Sequence, residues 1–342
     1  MDSSFSSQEE SPRPASKHQE DKRTTASTSI REEPYETPHR STEFWFHDGS
    51  IVLSVQSKRF RVHQTILANH SEVFSDLFNV PQPPTGEQTI EGCLVVELHD
   101  SAEDFIELLN AIYHPSYFDN LPPEPPVDTL VTFIAPLLRL STKYLIRTLR
   151  TRCINLLYTK FPATFAQYTA KCQSSMHTRE RYKSETVMRA VHLAHECNLP
   201  ALLPYLYYCV ARMGSGRILK KREGDISWEL KATCLVGRER LYQARMALSH
   251  TFLLAFTPSP ACQTHLCAHA RGPHAEWHIL EATEKAPNPL RSYTRWGQLH
   301  VCIDCIEECK RRHEGGRKEV WERLPGLFGL EGWEELWKVQ GM

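Results

Sequence analysis

Excess charge of one sign, long apolar runs and the common catalytic signatures are all missing from this chain. Lysine and arginine number 40 against 41 aspartates and glutamates, a formal net charge of −1 over 342 residues. No global positive field therefore draws it to nucleic acid or to an anionic membrane surface. No segment approaches the ~18 uninterrupted apolar residues of a membrane span, and the first residues lack the apolar stretch of a secretory signal. There is no G-x-S-x-G elbow, no Walker loop, no G-x-G-x-x-G after a strand, no H-E-x-x-H and no C2H2 finger. Since no nucleophile, base and orienting group can be assembled, the expectation is a protein that is not an enzyme and does not bind nucleic acid directly. The cysteines number 11, an odd count. Without a secretory signal they argue for reduced thiols or metal ligands rather than a disulfide framework. The expected setting is intracellular, cytoplasmic or nuclear.

What is present is sharply divided along the chain. Residues 1–42 are rich in Ser, Thr, Glu, Pro and Arg, with almost nothing to bury, and read as a disordered tail. Order is expected from Glu43-Phe44-Trp45-Phe46. Ile51, Leu53 and Val55 alternate, Phe60 and Val62 repeat the alternation after a tight Gln56-Ser57-Lys58 turn, and a hairpin follows from that. From Ile66 and Leu67 through Val73, Phe74, Leu77 and Phe78 the spacing becomes helical, opening on His63. Pro81 to Gly92 reads as a loop and Leu94–Leu98 as a third strand. Asp100 or Ser101 can cap the next helix, whose stripe is Phe105, Leu108, Leu109 and Ile112. The proline-rich stretch 114–128 reads as an exposed loop, 129–160 as two helical pieces, and Pro162 as a boundary.

Phe60, Val62, His63, Leu67, Ser71 and Phe74, in F-R-V-H-Q-x-x-L-A-x-x-S-x-x-F, resemble together the opening of a BTB (POZ) domain. The strand–helix pair V-V-E-L-H-D-S-A-E-D-F-I-E-L-L-N-A-I-Y, closing on Tyr113, resembles that fold's next element, and L-L-R-L-S-T-K-Y-L-I-R-T-L-R-T-R-C its final helical pair. The resemblance implies an α+β fold over 43–162, a short β-sheet flanked by a helical cluster, serving protein–protein interaction. It also implies two kinds of partner. One is a second copy of the chain: dimeric members keep an acid on the first strand and a base after the histidine, where this sequence has Ser50 and Gln64, with Asp48 two residues early. The other is a cullin, which members meet through an apolar-x-acid step, here Tyr117-Phe118-Asp119. A substrate adaptor for a cullin-type ubiquitin ligase is the leading expectation. The alternative is a BTB-type transcriptional or chromatin regulator acting through protein partners.

Beyond Pro162 the pattern is helical. Val187–Cys197 and Leu202–Met213 form a pair broken at Asn198-Leu199-Pro200, Gly214 and Gly216 interrupt, and Trp228–Phe256 reads as one long amphipathic helix. Ala190–Pro204, Gly237–Leu241 and Trp321–Leu330 resemble the C-terminal half of a group of fungal BTB-domain proteins, which also carry cysteine doublets. The division expected is a helical region over 163–257 and a Cys/His-bearing segment with terminal helices over 258–342.

Two such doublets stand in that last segment, Cys262-x4-Cys267 and Cys302-x2-Cys305, the second where a helix begins. A loop doublet and a doublet on a helix's first turn can set four thiolates around one structural zinc ion, with no position left open for a substrate. The other reading is plain packed thiols, because Cys302, Cys305, Cys309 and His313 share one helical face and cysteine is a common buried residue. His265, His269, His274 and Cys309 widen the set of candidate ligands.

Overall fold

In the computed structural model the described residues are 39–79, 89–174, 182–222, 226–284 and 286–340. Most of the expected tail, 1–42, and most of the 81–92 loop lie outside them.

The alternating segments form a five-stranded mixed sheet in the order β1-β3-β2-β5-β4. Strands β2 (Ile51–Val55) and β3 (Lys58–Val62) pair antiparallel, with Ile51 opposite Val62 and Val55 opposite Lys58. Gln56 takes the left-handed conformation, φ 50°, that lets a two-residue turn join them. Strand β5 (Cys93–Leu98) runs parallel to β2 on its other side. Two strands escape the sequence reading. β1 (His39–Trp45) lies parallel to β3, so order begins inside the expected tail, and β4 (Thr89–Ile90) pairs with β5 inside the expected loop.

Helices α1 (Gln64–His70) and α2 (Glu72–Asn79) follow β3, and α3 (Ala102–Tyr113) follows β5. Ser101 caps α3 by accepting from the Asp104 N–H, with Glu103 and Asp104 at the positive end of the helix dipole. The 114–128 stretch is largely exposed, as its prolines suggest, but it is interrupted by a buried turn. Tyr117–Asn120 forms a 3-10 turn, and both aromatic rings, Tyr117 and Phe118, are buried against Phe133. Helices α4 (Val127–Lys143) and α5 (Arg147–Lys160) pack closely, separated where Leu145 turns left-handed.

Beyond Pro162 come α6 (Phe165–Ser174), α7 (Ser184–Glu196), α8 (Leu203–Ala211) and the short α9 (Ser215–Leu219), which contains Gly216 rather than breaking at it. The long helix expected over 228–256 is three pieces. α10 (Trp228–Ala244) runs into a wide π-turn, Arg245–Ser249, and resumes as α11 (Thr251–Leu254). The break has a tertiary cause. α12 (Gly272–Thr283) and α13 (Ile303–Glu322) follow, and Gly316 of α13 passes so near the π-turn that an added methyl would lie 2.1 Å from the Leu248 carbonyl oxygen. The chain closes with α14 (Leu324–Leu327) and α15 (Trp333–Gln340).

One hydrophobic cluster runs from Phe44 on the sheet through α3–α5, α7 and α8 to Trp321 and Leu336. It crosses the expected boundary at Pro162 without a gap, and residues 38–342 form one compact unit. Arg150 of α5 donates to the Cys197 and Asn198 carbonyls and to the Gln340 carbonyl at 3.3–3.4 Å. Buried Gln340 in turn donates to Tyr158 at 2.7 Å and accepts from the Ala201 N–H at 3.1 Å. A second, smaller cluster holds Phe252, Leu253, Trp277, Tyr293, Leu299 and Cys309.

Candidate functional site

Two constellations carry the residues singled out by the sequence: the strand–helix junction around His63 and the four cysteines of the doublets. At the first, Phe60 and Val62 point inward from β3 and are fully buried, with the Phe60 ring 5.5 Å from Phe105. Leu67 of α1 is fully buried beside them. Ser71 links the next helix to the rest. It accepts from the Phe74 N–H at 3.0 Å and donates to the Tyr144 carbonyl at 2.5 Å, while Phe74 stacks on the Tyr144 ring at 4.3 Å.

His63 stands between β3 and α1, where its backbone N–H donates to the Tyr113 hydroxyl at 3.1 Å. The same hydroxyl lies 3.1 Å from Nδ1, and Nε2 lies 3.3 Å from Asp48 Oδ1. Asp48 is held below the ordinary carboxylate range, first by its own backbone N–H and then by His63. Burial raises the Tyr113 hydroxyl above its ordinary value. Both ring nitrogens and the backbone N–H of the histidine are thus engaged at the junction. The positions in register with the charged pocket of dimeric relatives do adjoin: the Gln64 N–H donates to Ser50 Oγ at 3.0 Å. Both are neutral, and the acid, Asp48, faces His63 instead.

The apolar-x-acid step is split by burial. Tyr117 is buried with its hydroxyl donating to Glu107, whereas Asp119 stays exposed at the turn's outer side. Beside the turn opens a cavity of about 160 Å3 whose lining includes His70, Ile112, Phe118, Leu149 and Arg152.

The second constellation is a closed thiol group. The Sγ atoms of Cys262, Cys267, Cys302 and Cys305 all lie within 4.8 Å of one another, and Cys262 and Cys302 are 3.6 Å apart. A tetrahedral ion with sulfur at ~2.3 Å holds its ligands about 3.8 Å apart, so the group can take a metal ion with little movement. The backbone is already aimed at the sulfurs. The Ser259 N–H donates to Cys305 Sγ and the Cys302 N–H to Cys267 Sγ, both at 3.3 Å. Cys302 is the N-cap of α13, where the helix dipole favours negative charge. The Cys305 N–H holds the Cys302 thiol below its ordinary value, while burial pushes Cys305 up to about 12.

The wider candidates fall away from this group. Cys309 packs in the second core, where burial pushes its thiol up to about 11. Buried His313 sits 2.6 Å from the Ser249 carbonyl through Nδ1 and accepts from the Tyr293 N–H at 2.9 Å through Nε2. Exposed His265 and His269 flank Cys267, and His274 faces His278 across α12, with Nε2 atoms 3.0 Å apart. Sequence reasoning missed Arg245, buried at 2% exposure over the Trp277 ring and paired with Glu284 at 3.2 Å. A charged residue at a helical position gives no sign of burial until its partners are known.

Residues 45–161 match the model of the BTB/POZ domain family. No curated protein matches the chain.

Proposed function

Residues 45–161 of this chain being a BTB/POZ domain, we propose that the protein is a non-catalytic interaction scaffold, and specifically a substrate adaptor for a cullin-type ubiquitin ligase. The observation that supports an adaptor most is the shared core. The BTB helices α4 and α5 pack into the C-terminal helical region, with α15 bonded back to α5, so a partner on one part is held at a fixed angle to a partner on the other. Asp119 on its exposed turn, beside the cavity lined by Phe118, offers a cullin a charged contact next to a pocket of mixed polar and apolar lining. Self-association through the BTB domain would have to proceed without a charged pocket at Ser50 and Gln64. In this reading the four-thiol group has a holding role. One zinc ion, suited to four sulfur ligands, leaves no open position for chemistry.

The test is to recover the tagged full chain from its native lysate and probe for near-stoichiometric cullin, beside an Asp119→Lys variant. Cullin that is retained by the wild type and lost from the variant supports the adaptor. Its absence at any salt concentration overturns that reading and favours a regulator working through other protein partners. Size-exclusion mass of the purified chain reads self-association directly.

A further inference from the structure

The second core is too small to hold itself. Its six buried side chains, with Phe256, Leu280, Trp296 and Val301 packed against them, serve a stretch in which 255–264 has neither helix nor strand and the described residues 286–302 contain one 3-10 turn. A core of that size buries too little apolar surface to offset the ordering of so much irregular chain. The four sulfurs supply what the side chains lack. They come from both ends of the irregular stretch, two from the 262–267 loop and two from the first turn of α13, and they accept the loop backbone's own N–H groups at Ser259 and Cys302. The ends beyond are fixed independently. On one side the π-turn at 245–249 is pressed against Gly316, and on the other Val320 and Trp321 anchor the C-terminal half of α13 in the first core.

Resting on zinc occupying the four-thiol group, we infer that the ion is the fastener of the second core. Its departure releases residues 252–309 as one unit apart from the 288–290 stretch, where Asn288 accepts from buried Tyr208 and Leu290 sits in the first core. The first core and the C-terminal half of α13 stay folded. The BTB domain then persists, but the face that the second core presents is lost.

The experiment uses the full chain. Metal content after purification without chelator is read first, followed by amide hydrogen exchange before and after stripping with a zinc chelator. Cobalt(II) titration of the stripped chain is run alongside, since four thiolates around cobalt give a distinctive visible and charge-transfer spectrum. The expected result is one zinc per chain, with exchange about tenfold or more faster over 252–309 outside 288–290 on stripping and unchanged over 44–161. Cys262→Ser should alter the cobalt spectrum, and Cys309→Ser, at a cysteine outside the group, should not. Zinc bound, with exchange unchanged on its removal or accelerated throughout the chain, would overturn the fastener while leaving the zinc site standing. No zinc, and no four-thiolate cobalt spectrum, would overturn the zinc reading and the fastener with it.

Discussion

In the first core Phe60, Leu67, Phe74, Phe105 and Leu130 are fully buried among aliphatic and aromatic neighbours that extend from the sheet to the last helix. In the second, Phe252 and Tyr293 share their surroundings with His250, His313 and Cys309, and a buried Arg245–Glu284 pair lies alongside. The first is held by area, which is non-directional and tolerant. The second is held by directed contacts, each of which must be met. Apolar burial degrades gradually as atoms are removed, whereas a buried polar group left without its partner incurs its whole desolvation penalty at once. The two regions should therefore fail differently, and the failures can be separated.

The largest effect belongs to a charge in the first core. Phe74→Asp places an unpaired carboxylate where Phe74 stacks on Tyr144, at a cost on the order of 5 kcal/mol, comparable with the whole stability of many domains. Because that core crosses Pro162, helical circular dichroism should be lost from the whole chain rather than from the BTB portion alone. Retention of the wild-type melting curve would mean the ring is not buried. Next comes Glu284→Ala, which strips the partner from Arg245, whose Nε and Nη2 already lack hydrogen bonds among the described residues. A cost of roughly 3–5 kcal/mol follows from leaving a buried charge unpaired. It should appear as faster amide exchange around Trp277 and Tyr293, with 44–161 unaffected.

The same contrast explains what the sequence could and could not convey. Strands β2 and β3 and helix α3 were legible because their apolar period reports a large shared surface. Strand β1 was not, since in His39–Trp45 only Phe44 is buried and the strand exists through its pairing with β3. The burial of Tyr117 and Phe118 among prolines, and the break of the 228–256 helix, likewise depend on residues far along the chain: Phe133 in one case, Gly316 and His313 in the other. For the cysteines, spacing brought the four together as candidates. Only the fold separates them from Cys309 and His313, because one turn of α13 faces the loop and the next faces the second core.

A smaller and more selective effect is expected from acid. Burial lowers His313, and drives His250 from 6.5 to about 2, with His313, Arg245 and Arg317 adding to the shift. A histidine kept neutral by folding contributes stability that is complete above the unfolded value and is lost as pH falls toward the folded one. Between pH 7.5 and 5.5 His250 alone should withdraw on the order of 1 kcal/mol. No histidine is buried in the first core among the described residues, so exchange should quicken over the second core and hold steady over 44–161. Equal loss in both regions would contradict the assignment. Protonation of the four thiols would weaken any metal held there in the same direction, so a His250→Phe variant, which removes the titrating group, should show a shallower dependence.

The finest comparison uses one arrangement found in both regions. In the first, Asp100 accepts from the Tyr144 hydroxyl and from Lys143 at 2.6 Å; in the second, Glu276 accepts from the Tyr293 hydroxyl and from Arg295, both at 2.9 Å. Each carboxylate is 5% exposed and each hydroxyl is raised above its ordinary value, chiefly by burial. Tyr144→Phe and Tyr293→Phe remove the same atom from similar surroundings, the Tyr293 hydroxyl lying also 3.1 Å from the Arg295 carbonyl, each costing about 1 kcal/mol. The first loss should enter the global unfolding free energy, read as a shifted urea midpoint at unchanged slope. The second should leave that midpoint in place and surface only as faster exchange across 252–309, because that unit opens before the chain unfolds. If both substitutions moved the global midpoint equally, the two cores would unfold as one, and the directed contacts of the second would be no weaker than the area that holds the first.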